Sequence, residues 1–137
     1  MANGTYVLGL GQLADNTFDW LTDTIKAVLV DTGAYTVNLT THDFLDDVAA
    51  GARIATATLT GKTSAISGSS WVLDADDTTF TAVSGVQSEA LIIYKDSGAE
   101  ATSPLLLYID TGTGLPITPN GADIIVQWPA TGIWTLT

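Results

Sequence analysis

The apolar residues of this chain occur in short runs separated by turn residues, and not at the spacing of an amphipathic helix. This pattern predicts β-strands. The predicted strands are Thr24–Val30, Ala52–Leu59, Ser70–Leu73, Thr78–Val83, Ala90–Lys95, Leu105–Asp110, Ile124–Trp128 and Ile133–Leu136. Connections such as Asp96–Gly98 and Pro119–Gly121 carry the Asp, Asn and Gly that tight turns require. We therefore predict an all-β fold, a β-sandwich or partly open barrel of about eight short strands.

Two of the runs, Leu91–Tyr94 and Leu105–Ile109, are apolar at consecutive positions and do not alternate with polar residues. A strand that is covered on both faces has this pattern. We therefore expect these two strands to lie at the middle of the fold.

One short helix is predicted, with Thr41 as its N-cap and a stop at Gly51. Asp43 falls in its first turn, where the helix dipole favours an anion. The preceding part of the chain has weaker signals. Residues 1–20 are predicted to form an irregular N-terminal arm, and residues 21–137 a single β-rich domain.

The charge balance narrows the classes of partner. The 137 residues include four Lys and Arg against 15 Asp and Glu, which gives a net charge of −11, and there is no cysteine. Phosphate backbones and anionic membrane surfaces repel such a chain, so nucleic acid and membrane are not expected partners. Without a secretion signal or a long apolar run, the chain is expected to be soluble and not secreted.

Few residues are candidates for a catalytic, phosphate-binding or metal-binding role. His42 is the one histidine, and a polar residue in the first turn of the predicted helix is its simplest interpretation. Gly61–Thr63 lacks the earlier glycine of a phosphate-binding loop. The acidic turn Asp74–Asp77 is interpreted as solvated, with a bound cation as the alternative. We predict no enzymatic activity, no cofactor and no metal.

The aromatic residues have two interpretations. Those in the predicted strands are interpreted as core residues, with an exposed glycan-binding platform as the alternative: Trp71, Tyr94, Tyr108 and Trp128. Tyr6, Phe18 and Trp20 lie in or beside the predicted arm and are predicted to make assembly contacts. The alternative for these three is packing of the arm against its own domain.

Several segments resemble small virion structural proteins of tailed bacteriophages, over most of residues 20–130. They are Leu21–Asp31, Tyr35, Thr41–Val48, Asp74–Gly85, Glu89–Asp96 and Gly114–Gly121. The resemblance implies a capsid decoration protein, made in the host cytoplasm, that binds the major capsid protein on the outer surface of the virion. It also implies a homotrimer at local threefold positions.

Two alternatives accompany that hypothesis. One is a head-to-tail connector or tail component, and the other is a carbohydrate-binding module for host attachment. For the decoration role we expect the predicted arm to extend along the shell. Deleting residues 2–17 would then leave a folded domain with weaker capsid retention.

Overall fold

A computed structural model describes residues 3–111 and 114–136 of the chain. They form one α-helix, α1 (Val7–Ala14), and ten β-strands. The strands are β1 (Gly4–Thr5), β2 (Ile25–Val30), β3 (Arg53–Thr58), β4 (Thr63–Ser67), β5 (Ser70–Asp74), β6 (Thr78–Phe80), β7 (Ala90–Lys95), β8 (Leu105–Ile109), β9 (Ile124–Val126) and β10 (Trp134–Leu136). All eight predicted strands are present, and β1 and β4 are additional. The all-β prediction is confirmed.

The largest sheet is antiparallel and has five strands in the order β1-β8-β7-β2-β3. Strand β7 lies at its centre, and β8 is paired on both sides. Five of the six residues of β7 and four of the five of β8 are buried. The prediction that these two apolar runs form interior strands is therefore confirmed.

A second layer covers one face of this sheet. It consists of a three-stranded sheet, β10-β5-β4, and a two-stranded sheet, β6-β9. Leu29 and Ile93 of the large sheet share a buried cluster with Leu73, Phe80 and Trp134 of the second layer. The arrangement is a small β-sandwich and not a closed barrel.

The opposite face of the large sheet is covered by the long connection between β2 and β3. Val28 and Ile92 share a second buried cluster with Tyr35, Leu45 and Val48 of that connection. The large sheet is thus covered on both faces, which explains why its inner strands are apolar at consecutive positions.

The helix predicted from Thr41 to Gly51 is not formed. Two single 3₁₀ turns, Leu45–Asp47 and Ala50–Ala52, take its place. The backbone of Phe44 is extended and forms a bridge with Pro104, and the N–H of Leu45 donates to the carbonyl of Ser103 at 2.9 Å. Pairing with a distant segment has therefore overridden the local helix signal.

The α-helix that the described residues form lies instead in the segment predicted to be an irregular arm. Strand β1 pairs with β8, and the N–H of Tyr6 donates to the carbonyl of Leu106 at 2.9 Å. Helix α1 then packs on β8 through Gly9, which is buried. Residues 4–14 are thus part of the folded domain.

Candidate functional site

The three predicted assembly residues, Tyr6, Phe18 and Trp20, are all buried. The ring centroids of Phe18 and Trp20 lie 6.4 Å apart, edge to face, and Phe18 stacks at 6.4 Å on Trp134. The indole N–H of Trp20 donates to the carbonyl of Asp74 at 2.9 Å. The structure therefore agrees with the alternative interpretation, packing of this segment against its own domain.

The same segment exposes other apolar residues that the sequence interpretation missed. Along α1 the exposed positions are Val7, Leu10, Gly11 and Ala14, which follow the spacing of one helix face. Val7 is 55% exposed and Leu10 is 49% exposed. No residue from Gly4 to Ala14 carries a charge. We call these four positions the α1 face.

A second apolar surface lies on the hairpin of β4 and β5. Ile66 and Trp71 are paired across the two strands, and they are 72% and 47% exposed. The indole N–H of Trp71 donates to the Ser64 hydroxyl at 2.7 Å, which holds the ring over β4. The interpretation of Trp71 as a core residue is wrong, because the hairpin extends beyond the second layer's buried cluster. Tyr94 and Tyr108 are buried as predicted, and Trp128 is half-buried.

Acidic groups and carbonyls engage every basic side chain of the chain. The Arg53 guanidinium makes two hydrogen bonds of 2.9 Å to the Glu100 carboxylate, a geometry that favours strong pairing. The pairs are Lys26 with Asp96 at 2.7 Å, Arg53 with Glu100, Lys95 with Asp23 at 3.4 Å, and Lys62 with the Asp23 carbonyl. Each Lys and Arg side chain among the described residues thus has an acidic group or a carbonyl oxygen as its partner.

The surroundings of Lys26 and Lys62 shift the pKa values of their ammonium groups in opposite directions. The hydrogen bond from Lys26 to Asp96 raises the pKa of the ammonium and lowers that of the carboxyl. Partial burial lowers the pKa of Lys62, although Asp23 and Asp19 act in the opposite direction. Lys26 thus ties β2 to the residue that follows β7, and Lys62 ties the start of β4 to the turn before β2.

His42 belongs to a chain of hydrogen bonds in the second buried cluster. The hydroxyl oxygens of Tyr6 and Tyr35 lie 2.9 Å apart, and the Tyr35 hydroxyl lies 2.8 Å from Nδ1 of His42. Burial raises the pKa of both tyrosines, so both stay protonated at neutral pH. The arrangement gives both buried hydroxyls a hydrogen-bond partner.

We expect Tyr35→Phe to lower the free energy of unfolding by about 1–2 kcal/mol. The change removes the middle of the hydrogen-bond chain and leaves the Tyr6 hydroxyl without its partner in a site that excludes water. Urea titration followed by tryptophan fluorescence measures the difference. Equal midpoints for the variant and the parent chain would show that water replaces the lost hydroxyl.

A cavity of about 520 Å³ lies between the β8 side of the large sheet and the segment from β9 to β10. Its walls are mainly apolar, and none of the described residues that line it is charged. Leu107, Ile109, Ile124 and Trp128 contribute to these walls. Trp128 is fixed there because its indole N–H donates to the carbonyl of Asp76 at 3.0 Å. The cavity can hold an uncharged apolar group, and the described residues that line it carry no carboxylate, imidazole or amine.

Carboxylates of the acidic turn Asp74–Asp77 accept hydrogen bonds from within the turn and from a distant segment. The carboxylate of Asp74 accepts from the N–H of Ala75 at 2.9 Å, and that of Asp77 from the N–H of Trp128 at 3.1 Å. Among the described residues, no three Asp, Glu or His side chains converge closely enough to hold a metal ion. Nor does any helix within residues 3–111 and 114–136 have the length and apolar character needed to span a bilayer.

Comparison with known proteins adds no assignment. No protein-family model matches the chain, and no curated protein matches it at a significant level.

Proposed function

We propose that this chain is a non-enzymatic virion structural protein of a tailed bacteriophage, and specifically a capsid decoration protein. It binds the outer surface of the assembled major capsid shell and stabilises that shell. The proposal starts from the sequence segments that resemble small phage virion proteins. The structural observation that carries it further is the α1 face, an exposed and uncharged helix surface on a strongly acidic domain.

The α1 face is suited to binding another protein because it is both apolar and rigid. Val7 and Leu10 point to solvent, while Gly9 on the other side of the helix contacts β8. Tyr6, which precedes the helix, is fully buried and fixes its start. A partner therefore buries apolar area without having to order a flexible segment, which lowers the entropic cost of binding.

The charge favours the outer surface of a virion over its interior. At a net charge of −11 the chain is repelled by packaged DNA. Outside the shell it meets capsid protein and solvent. Each bound copy then stabilises the assembled state by its own binding free energy, and the many equivalent sites of a shell act together.

The test is co-sedimentation of the purified protein with expanded capsid shells that lack it, with the copy number measured against the major capsid protein. We expect binding in many copies per shell. Leu10→Lys on the α1 face should weaken binding by about tenfold or more, which corresponds to about 1.4 kcal/mol. Ile125→Lys, the same kind of change at an exposed position of β9, is the matched control and should bind normally.

The alternatives predict different outcomes of the same experiment. Binding in a few copies at one vertex would assign the protein to the head-to-tail connector or tail. No binding by the folded protein would make glycan binding the next assay. Trp71 is the one aromatic side chain that is exposed in the described part of the chain, whereas a glycan platform needs several coplanar rings. Equal binding of the Leu10→Lys variant and the parent would exclude the α1 face as the contact.

A further inference from the structure

Strand β4 is an edge of the three-stranded sheet, and it lacks the features by which proteins protect such edges. Sheet edges are usually blocked by charged residues, proline or a bulge, because their free N–H and C=O groups pair with other strands. Thr63–Ser67 contains no charge and no proline, and its register with β5 is regular. The absence of charge extends through β4 and β5 to Leu73, in a chain whose net charge is −11.

The hairpin geometry shows which backbone groups of β4 are free. Ser67 and Ser70 flank the two-residue turn of Gly68 and Ser69, and Gly68 has a φ of +61°. In such a turn the two flanking residues, here Ser67 and Ser70, exchange backbone hydrogen bonds. The next pair along the hairpin, Ile66 and Trp71, does not. The N–H and C=O groups of Ile66 therefore point away from β5, and so do those of Ser64.

An independent contact supports this assignment. The residue paired with Ser64 is Leu73, and the Leu73 carbonyl accepts from the N–H of Ile133 at 3.0 Å, on the β10 side of the sheet. Because the groups of Leu73 point towards β10, this pair is not hydrogen-bonded between β4 and β5. Ser64 and Ile66 thus offer two donors and two acceptors along the free edge.

These groups are complementary to a second copy of themselves. In an antiparallel arrangement centred on Ala65, Ser64 of one copy faces Ile66 of the other, and the reverse pair forms across the two-fold axis. Residues that face each other in this way exchange two hydrogen bonds per pair. All the outward groups of both copies are then satisfied. An interface in which the same patch meets itself closes at two subunits.

The side chains fit the same arrangement. Ile66 and Trp71 lie on one face of the hairpin, because they are directly paired. The Trp71 ring reaches Ser64, the residue that would face Ile66 of the second copy. The two Ile66 and two Trp71 side chains would then form one apolar strip across the axis, and the small Ala65 side chains meet on the other face.

We infer that β4 pairs with β4 of a second copy of this chain to form a two-fold dimer with a continuous six-stranded sheet. The inference does not rest on the proposed function, because it concerns the isolated protein. It differs from the homotrimer that the phage resemblance implies, and the state of the isolated protein distinguishes the two.

Single cysteines test the register, since the chain has no cysteine of its own. In the proposed dimer the two copies of Ala65 face each other with Cα atoms about 4.5 Å apart, within the range of a disulfide. Ser67 is the matched control, because it is also exposed on β4 and its two copies would be about 14 Å apart. We expect Ala65→Cys to form a linked dimer about tenfold or more faster than Ser67→Cys under mild oxidation.

Sedimentation of the cysteine-free protein provides the second measurement. We expect the parent chain to sediment as a dimer. Ile66→Lys should give a folded monomer, because it places two positive charges near the two-fold axis. Ile125→Lys, which changes an exposed residue outside the hairpin, should remain a dimer. Equal cross-linking rates for the two cysteine variants would overturn the inference, as would a monomer or trimer of the parent chain. Amide hydrogen exchange gives a further outcome. If the β4 amides were protected only in shell-bound protein, the edge would pair with a capsid strand, and the dimer inference would be overturned as well.

Discussion

Tyr6→Ala is expected to lower the free energy of unfolding by about 3–5 kcal/mol, the loss typical of a buried aromatic side chain. Tyr6 is fully buried, and its hydroxyl shares a hydrogen bond with Tyr35 at 2.9 Å. The change removes apolar contacts, creates a cavity and leaves the Tyr35 hydroxyl without this partner. Against a total stability of about 5–15 kcal/mol for a domain, the loss is large. Chemical denaturation measures it.

Val7→Ala is the matched control for this prediction. Val7 is the next residue in the chain, but it lies on the exposed α1 face. Its replacement should change stability by no more than about 0.5 kcal/mol. If the two variants were equally stable, Tyr6 would not be part of the core, and its original interpretation as an assembly residue would regain support.

The burial of Tyr6 also changes what truncation is expected to do. Deletion of residues 2–17 was predicted from the sequence to leave a folded domain. In the structure this deletion removes β1, α1 and Tyr6, and it uncovers the part of β8 on which they pack. We now expect the truncated chain to lose cooperative unfolding, so capsid binding by the α1 face is better tested by point substitutions.

The strand pattern could be predicted because its signals are local. Runs such as Ala90–Lys95 are apolar and end at turn residues, and both features follow from burial and backbone geometry. Strand β4 was missed because it contains a single large apolar residue, Ile66, and that residue is exposed. An edge strand with little burial carries too little hydrophobic pattern to be recognised from sequence.

The two helix assignments failed for opposite reasons. Residues 41–51 have a good N-cap and an apolar face, but the N–H of Leu45 donates to the carbonyl of Ser103, and Phe44 lies opposite Pro104 in a β-bridge. Sequence spacing does not reveal such distant partners. The segment Val7–Ala14 has no side-chain cap and contains two glycines, which lower helix propensity. Its helix depends on packing against β8.

The α1 face lies in the segment where assembly contacts were predicted, but it consists of other residues. The predicted assembly residues Tyr6, Phe18 and Trp20 lie on either side of the α1 face, but aromatic side chains in a weakly patterned segment proved to be core residues. A signal for the α1 face was present, because Val7 and Leu10 have helical spacing. It could be used only once the helix was known.

Gly9→Ala should destabilise the domain by about 3 kcal/mol, at the upper end of the usual cost of overpacking. A Cβ atom at this position would lie 2.5 Å from the carbonyl oxygen of Leu105 and 2.9 Å from the Cα atom of Leu106. Both are backbone atoms of the β8 region, so neither can move aside as a flexible side chain would. The helix must therefore shift away from the sheet on which its formation depends.

Gly11→Ala is the matched control for Gly9→Ala. Both substitutions change helix propensity equally, so the difference between the two changes in stability measures the steric clash at Gly9. A Cβ atom at Gly11 meets no atom within 4 Å outside its chain neighbours and the backbone of its own helix. Alanine there should stabilise the domain by about 0.5–1 kcal/mol, the usual gain over glycine within a helix. Thermal unfolding of the two variants should therefore move the midpoint in opposite directions. Two midpoints raised alike would mean that α1 does not contact β8 at Gly9, and that the α1 face lacks the rigid support that favours binding.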